Sequence, residues 1–318
     1  MKTRVLFHDN CFDGMCSAGL FRAFYLEKIE PSAEVVLGGL AHGPIGGLAP
    51  ERLDGDENAV VDFRYIADGK LTWWFDHHRS AFPTDADRAH FEADETGRKY
   101  FDPTAPSCTG FIARSVAKDF GFDTSRFAEL LRWADIIDAA RFPEPKTAVE
   151  LVEPALRLML WVEHSQHFEE REKLIDLLFS GTLEDAANAP FIRPVVDELL
   201  EEHRGMIDAF RKRCRVEGNV VFCDLTDLTV SAVNKFIPYY LYPEASYAVV
   251  VSRSDKRSKV SVGYSPWHPA GDRAHDISAL CERYGGGGHP VVGAVTRDAA
   301  DVDDVRQVGR EMVAALSG

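Results

Sequence analysis

The tetrapeptide Asp76-His77-His78-Arg79 closes the apolar run Leu71-Thr72-Trp73-Trp74-Phe75. Adjacent side chains at a strand end point to opposite sides, so His77 and His78 can do different jobs, one binding a metal and the other facing a substrate. Asp76 can then orient one imidazole. A hydrophilic triplet after a buried strand is also how an ordinary turn reads, and the rest of the chain removes that ambiguity.

Two further acidic sites occupy equivalent places. Thr3-Arg4-Val5-Leu6-Phe7 reads as a buried strand running into His8-Asp9-Asn10-Cys11-Phe12-Asp13-Gly14 and then a helical stretch over 15–25. Ala59-Val60-Val61 is a second short strand, and it ends at Asp62. In open α/β sheets, ligands bind beyond the carboxyl ends of strands, so His8, Asp13, Asp62, Asp76 and His77 outline a polynuclear site on one edge. Asp135 and Asp138 lie on an otherwise apolar helical stretch, and their i, i+3 spacing gives them neighbouring positions on one face. Asp138 also reads as a solvated helix end.

The elements that must position these groups follow from the pattern. Residues 1 to about 145 alternate strands and helices, with long loops over 41–56 and 80–107. The first loop is rich in Gly and Pro, and such loops beyond strand ends are where substrate elements usually sit. Ser107 opens a helix, either as its N-cap or at a helix N-terminus that holds a phosphate oxygen. Residues 146–215 are predominantly helical, with apolar residues at helical spacing in 151–162, 168–179 and 195–210. From 218 onward, 220–223, 247–251 and 259–262 read as strands and 231–239, 275–284 and 302–316 as helices. The expected fold is α/β in two domains, a mainly parallel sheet with flanking helices over 1–190 and a smaller α/β domain over 218–318. A helical connector over 191–217 joins them.

Gly285-Gly286-Gly287-Gly288-His289 needs a separate account. Consecutive glycines can adopt positive φ and let a ligand approach the backbone, and their amides can form a concave anion-binding nest. His289 would add a hydrogen bond or charge to a terminal phosphate. Trp73 and Trp74 read as core, whereas Tyr264 and Trp267 are candidates for stacking a nucleobase.

Composition narrows the partners. The 318 residues include 36 Lys and Arg against 51 Asp and Glu, a net charge of −15. Proteins that track long duplexes usually present a basic surface, so long nucleic acid is disfavoured. A small phosphorylated substrate stays compatible, since two divalent cations would offset about four charges. No run of 18 apolar residues could span a bilayer, and the N-terminus does not resemble a signal peptide, so a cytoplasmic protein without a membrane partner is expected. Six cysteines, at 11, 16, 108, 214, 223 and 281, show no CxxC pair and read as reduced thiols.

The order His8…Asp13-Gly14, Asp62, Asp76-His77-His78, Asp135 and the glycine run with His289 resembles the DHH phosphoesterase superfamily with its DHH-associated C-terminal domain. The resemblance spans nearly the whole chain. It implies two divalent ions, usually Mn²⁺, with Mg²⁺ as the alternative, sharing Asp62 as a bridging ligand. His8 would join Asp62 on the first ion, while Asp13, His77 and Asp135 would join it on the second. His78 would face the phosphate, with Asp76 in the catalytic group, and Arg79, Ser107 and the glycine run with His289 would contact substrate. Carboxylate and imidazole ligands suit Mn²⁺ or Mg²⁺, and ions about 3.5–4 Å apart can clamp an in-line displacement.

The sequence departs from that pattern in two places. Many relatives carry a further aspartate where Cys11 stands, and His8 is one residue closer to Asp13 than in those relatives, so Asp9, Asn10 or Cys11 is left to complete the first ion's shell; Asp138 is a further candidate ligand. Cys11 reads equally as a small buried hydrophobe behind the loop. The stretch Lys259–Ser265 lacks the arginine that precedes the glycine run in relatives. Arg253, Lys256, Arg257 and Lys259 lie nearby, although Ser254-Asp255-Lys256-Arg257-Ser258 also reads as a solvated hairpin turn. The resemblance implies a metal-dependent phosphodiesterase for short oligonucleotides or small nucleotides such as pAp and linear or cyclic dinucleotides, held between the domains. A polyphosphatase or pyrophosphatase is the alternative within that chemistry, and a nucleotide-binding regulatory module with a degraded first metal site is the alternative outside it. A homodimer is left open.

Overall fold

Runs rich in Val, Leu, Phe and Trp build the sheet that carries the motif residues. The computed structural model describes residues 1–42, 47–230 and 233–317. Strands β1 (Lys2–His8), β2 (Glu34–Leu40), β3 (Glu57–Val61), β4 (Trp73–Asp76) and β5 (Lys99–Phe101) are all parallel, in the order β2-β1-β3-β4-β5. With β1, β3 and β4 adjacent, their carboxyl ends lie side by side. The fold is α/β.

Helices flank this sheet. They are α1 (Phe12–Lys28), α2 (Asp85–Glu92), α3 (Cys108–Phe120), α4 (Ala128–Asp138), α6 (Pro154–His164), α7 (Phe168–Ser180) and α8 (Leu183–Ala187), whereas α5 (Pro145–Glu150) and most of α9 (Arg193–Arg213) belong to a second unit. Helix α1 is buried over most of its length and packs against β1, α3 and α7, as expected of a helix apolar all round. Side chains alternate across β4. Trp73 meets Phe21, Phe24 and Tyr25 of α1, whereas Trp74 packs with Tyr65, Phe82 and Phe91 on the opposite face. Both indoles are fully buried with satisfied N–H groups, Trp73 donating to Glu57 and Trp74 to the Phe63 carbonyl.

The chain divides into two compact units, one of Met1–Arg141 with Val152–Leu199 and the other of Phe142–Leu151 with Leu200–Gly318. The second holds β6 (Cys214–Glu217), β7 (Val220–Thr229), β8 (Tyr247–Arg253), β9 (Arg257–Tyr264), β10 (Gly287–His289) and β11 (Val292–Asp298) in the order β10-β11-β9-β8-β7-β6. Strands β7 and β8 run parallel, and the other neighbouring pairs of this sheet are antiparallel. Besides α5 and most of α9, its helices are α10 (Ile237–Leu241), α11 (Ile277–Glu282) and α12 (Val302–Ser317), and its main core joins Val249, Val251, Val260, Val262 and Tyr264 to Ile277, Leu280, Val308 and Met312.

Several expectations change here. The loop over 80–107 contains α2 and β5. Of the helix expected over 231–239, Ser231 and Ala232 lie outside the described residues, and the helix that is described is α10. Cys214 and Cys223 are register partners on β6 and β7 and form a disulfide, which corrects the expectation of six reduced thiols. Cross-strand pairing brings together two residues whose spacing carries no such signal. Cys11, Cys16, Cys108 and Cys281 are free.

The join between β1 and α1 is tight. A Cβ on Gly14 would fall on the carbonyl oxygen of His8, so only glycine lets the helix start there. Gly14→Ala should therefore lower stability by about 1–3 kcal/mol, as overpacking of rigid neighbours does. Chemical denaturation measures it, and an unchanged midpoint would mean that the helix end can shift at no cost.

Candidate metal centre

Each strand end delivers its side chain by a different local device. His8 is the last residue of β1. Asp62 follows β3 with φ 53°, left-handed backbone that L residues avoid, while its amide still donates to the Phe75 carbonyl at 2.9 Å. Holding a non-glycine residue there costs about 1–3 kcal/mol, and such outliers cluster at functional sites. Asp76 ends β4, and its Oδ1 accepts from the His77 amide at 2.8 Å, the His78 amide at 3.2 Å and His78 Nδ1 at 2.7 Å. His77 Nδ1 lies 2.9 Å from the Ala105 carbonyl. That bond requires a proton on Nδ1 and so turns Nε2 toward the carboxylates, the device that commonly orients metal-binding imidazoles.

The converging atoms are spaced as ligands of shared cations would be. His77 Nε2 lies 3.3 Å from Asp138 Oδ2, 3.6 Å from Asp62 Oδ1 and 3.9 Å from Asp13 Oδ2. On the other side, His8 Nδ1 lies 3.5 Å from Asp62 Oδ2. Ligand atoms about 2.1 Å from a tetrahedral ion stand about 3.4 Å apart. Among the described residues, three groups can hold a cation: His8, Cys11 and Asp62; Asp62, His77 and His78; and Asp13, His77 and Asp138. Asp62 links the first two, with one oxygen toward His8 and the other toward His77 and His78.

Buried atoms without partners mark the same point. Both Asp62 carboxylate oxygens, His8 Nδ1 and His77 Nε2 are buried and make no hydrogen bond, although Asp62 is only 1% exposed. Buried polar atoms are normally satisfied, and the donor set suits divalent cations that favour oxygen and imidazole. The residues present therefore fit a metal centre.

The electrostatics agree. Burial pushes the Asp13 carboxyl well up, and repulsion from Asp62 and Asp138 adds to it. Burial and then Asp62 raise Asp138 to about 6. For Asp62, burial also opposes the charge, but contacts from His77 and His8 outweigh it and hold its pKa below the ordinary value. Burial likewise disfavours a charged His77, yet Asp62, the Ala105 carbonyl and Asp13 overcome this and push it up to about 10. The hydrogen bond to Asp76 raises His78.

The structure assigns distinct surroundings to the expected site residues. His8, Asp13, Asp62, His77, His78 and Asp138 converge, and Cys11 lies with His8 and Asp62. Asp135 does not join them: its Oδ1 accepts from Ser107 Oγ at 2.5 Å, one helical turn before Asp138. Asp9 is also engaged elsewhere, in an ion pair with Arg171 Nη1 at 2.5 Å. The first amides of α3 are taken by the chain itself. Cys108 and Thr109 donate to Asp13 at 2.7 and 3.0 Å, and Gly110 donates to Ser107 Oγ at 2.9 Å, so capping accounts for Ser107 and none of these three amides awaits a phosphate. Arg79 is exposed beside His78.

In the second unit, the glycine run departs from a simple nest. Gly285 has φ 71°, but Gly287–His289 form the exposed strand β10 paired to β11. Tyr264 is buried with its hydroxyl donating to Pro269, and Trp267 donates to Phe142 and packs on Phe236 and Tyr239. Neither is a free stacking platform. Ser254 to Arg257 form the turn between β8 and β9.

Two residues escaped the sequence reading. Arg171 on α7 carries no motif, and only tertiary contact reveals its hold on Asp9. His42 follows β2, with its ring 4.7 Å from that of His8 and stacked on Phe63 at 4.9 Å; its signal was the Gly- and Pro-rich loop that it begins.

No family model matches the sequence, and no curated protein matches it. Solved structures do. The pGpG-specific phosphodiesterase PggH from Vibrio cholerae aligns over 99% of this chain and 100% of its own, with 20% identity and a TM-score of 0.67. A DHH domain from a protein described as a member of a ribosomal-protein family aligns over 100% of this chain and 88% of its own, at 12% identity and TM-score 0.58. This chain has the DHH fold. RecJ from Thermus thermophilus, solved in complex with Mn²⁺, matches 99% of this chain at 14% identity and TM-score 0.52, although the match spans only 52% of RecJ.

The shifted groups make metal binding and stability depend on pH with a definite sign. His77 is raised from 6.5 to about 10, so its contribution is fully present below about pH 6.5 and lost as pH climbs toward 10. Asp138, raised from 3.8 to about 6, penalises the folded state as pH rises through that window. The lowering of Asp62 acts only in more acidic solution. Chelator-treated protein should melt at a lower temperature at pH 9 than at pH 6, and Mn²⁺ should raise the melting temperature more at pH 9, since bound cations replace the protons. Melting curves with and without Mn²⁺ check this; a metal-induced shift that is larger at pH 6 would contradict it.

Proposed function

We propose that this chain is a manganese-dependent phosphodiesterase of the DHH type that hydrolyses short oligonucleotides or small nucleotides, with linear dinucleotides foremost. One observation carries the reading: the buried Asp62 carboxylate turns its two unpartnered oxygens toward different imidazoles, His8 on one side and His77 on the other. That is the disposition of a ligand shared by two cations. Two bound divalent ions would supply the charge that draws in a phosphodiester, polarises it and activates water.

The chain's own groups complete the reaction. His78 is fixed through Nδ1 by Asp76, which leaves Nε2 to meet a phosphate oxygen or the leaving group. The same carboxylate raises the pKa of the ring, so a proton on Nε2 would make His78 a charged hydrogen-bond donor to the phosphate. Arg79 adds a second exposed cation beside it. His77, with Asp13 and Asp138, would hold the second cation, while the amides of α3 fix Asp13.

Small substrates suit the charge of the chain. At −15, it lacks the basic balance that long duplexes select, and the PggH likeness, whose name specifies the dinucleotide pGpG, supports the same substrate class. His289, on the exposed β10 edge, is proposed as a substrate contact distinct from the chemistry.

Asp62→Asn should lower turnover of a linear dinucleotide by about a hundredfold or more, comparable to losing a principal charge stabiliser, with the fold retained by circular dichroism. Activity within about tenfold of wild type would show that Asp62 is not the shared ligand. His289→Ala should raise KM for dinucleotides while leaving hydrolysis of a small generic diester nearly unchanged, because it removes binding made equally in ground and transition states. A screen of linear dinucleotides, pAp, cyclic dinucleotides and polyphosphate with Mn²⁺ identifies the substrate. Turnover of polyphosphate alone would replace the nucleotide reading, and no turnover of any of them would leave a binding protein.

A further inference from the structure

The first cation group contains sulfur where the second contains only nitrogen and oxygen. Cys11 is a free cysteine, half-buried at the N-cap of the 17-residue helix α1, and its side chain makes no capping hydrogen bond. Its Sγ, a ring nitrogen of His8 and a carboxylate oxygen of Asp62 all lie within 4.8 Å of one another. Two independent observations point this cluster at a ligand. Both Asp62 oxygens and His8 Nδ1 are buried without partners, and the separation of His8 Nδ1 from Asp62 Oδ2, 3.5 Å, already matches the roughly 3.4 Å between ligand atoms of one tetrahedral ion.

The neighbouring oxygen donor is unavailable. Asp9 Oδ2 pairs with the buried Arg171, and Asp9 Oδ1 accepts the Asn10 amide at 3.0 Å. Asn10, at φ 57°, then turns the chain so that Cys11 follows on the site side. A thiolate changes which cation is preferred: sulfur and imidazole favour Zn²⁺ and related borderline ions, whereas carboxylate and water favour Mn²⁺ and Mg²⁺.

We propose that His8, Cys11 and Asp62 form a thiolate-bearing cation site that prefers a borderline-soft divalent ion such as Zn²⁺ over Mn²⁺ or Mg²⁺. On binding, the cysteine S–H proton passes to the buffer and the sulfur lone pair bonds to the ion, with no change of oxidation state. The centre is then asymmetric, one cation held partly by sulfur and the other by oxygen and nitrogen alone. The proposal takes its setting from the two-cation reading, but its test reads the bound ion and not turnover.

Chelator-stripped full-length protein titrated with Co²⁺ should develop a near-ultraviolet thiolate-to-cobalt charge-transfer absorption. Cys11→Ser should lose it, and Cys281→Ser, in the other unit, should keep it. Calorimetric competition should show that the preference for Zn²⁺ over Mn²⁺ falls in Cys11→Asp by at least the roughly tenfold that losing an outer-shell partner costs. Cys11→Asp also supplies an oxygen ligand and so serves should Cys11→Ser fail to fold by circular dichroism. Absence of the band in wild type, its survival in Cys11→Ser or an unchanged preference in Cys11→Asp would each overturn the proposal. Mn²⁺-dependent hydrolysis without the band would sink this site and leave the phosphodiesterase reading standing, whereas the band without hydrolysis would do the reverse.

Discussion

Repulsion among carboxylates at one sheet edge is the constraint on which the first unit depends. Asp13, Asp62 and Asp76 are all buried, and an isolated buried carboxylate is strongly unfavourable. The fold answers each charge differently. Two amides at the start of α3 serve Asp13, while the His77 and His78 amides and an imidazole serve Asp76. The side-chain oxygens of Asp62 accept no hydrogen bond. Imidazoles surround it beyond hydrogen-bond distance, an arrangement that leaves room for cations and is electrostatically incomplete without them.

That incompleteness requires a rigid frame, since three like charges would separate if their elements could slide. The order β2-β1-β3-β4-β5 makes the three delivering strands neighbours, and the Phe and Trp side chains of β4 lock against α1 on one face and Tyr65, Phe82 and Phe91 on the other. Gly14 lets α1 begin against the His8 carbonyl, which brings Asp13 to the same edge. The left-handed turn at Asp62 is held by its amide in the ladder to Phe75. Core packing is thus what keeps the charges together.

Much of this was legible because strand ends carry a local signature, a buried apolar run that stops at a polar residue. His8, Asp62, Asp76 and His77 were read that way, and β1, β3, β4, α1 and α12 follow from the same periodicities. Asp135 and Asp138 mark the limit of such signals. They share a helical face, so spacing alone cannot say which one turns toward the imidazoles and which bonds to Ser107. The short β5 and α2 were missed because 80–107 is too polar to show periodicity, and α2 starts on a Thr84–Asp87 capping box with little apolar face behind it. Cys214 and Cys223 meet through strand register, and the ion pair of Asp9 with Arg171 joins residues far apart in sequence.

The Asp9–Arg171 pair shows how a distant residue can decide the chemistry of a motif. Arg171 is buried, and removing one partner of a buried ion pair typically costs about 3–5 kcal/mol, so Asp9 cannot leave it cheaply to serve as a ligand. A Cβ on Gly39 would fall on the Asp9 carboxylate, which confines that side chain further. With Asp9 anchored to α7 and Asn10 exposed where it reverses the chain, the side chain that lies with His8 and Asp62 is Cys11. The donor set of the first cation group therefore depends on an arginine that is not one of its members.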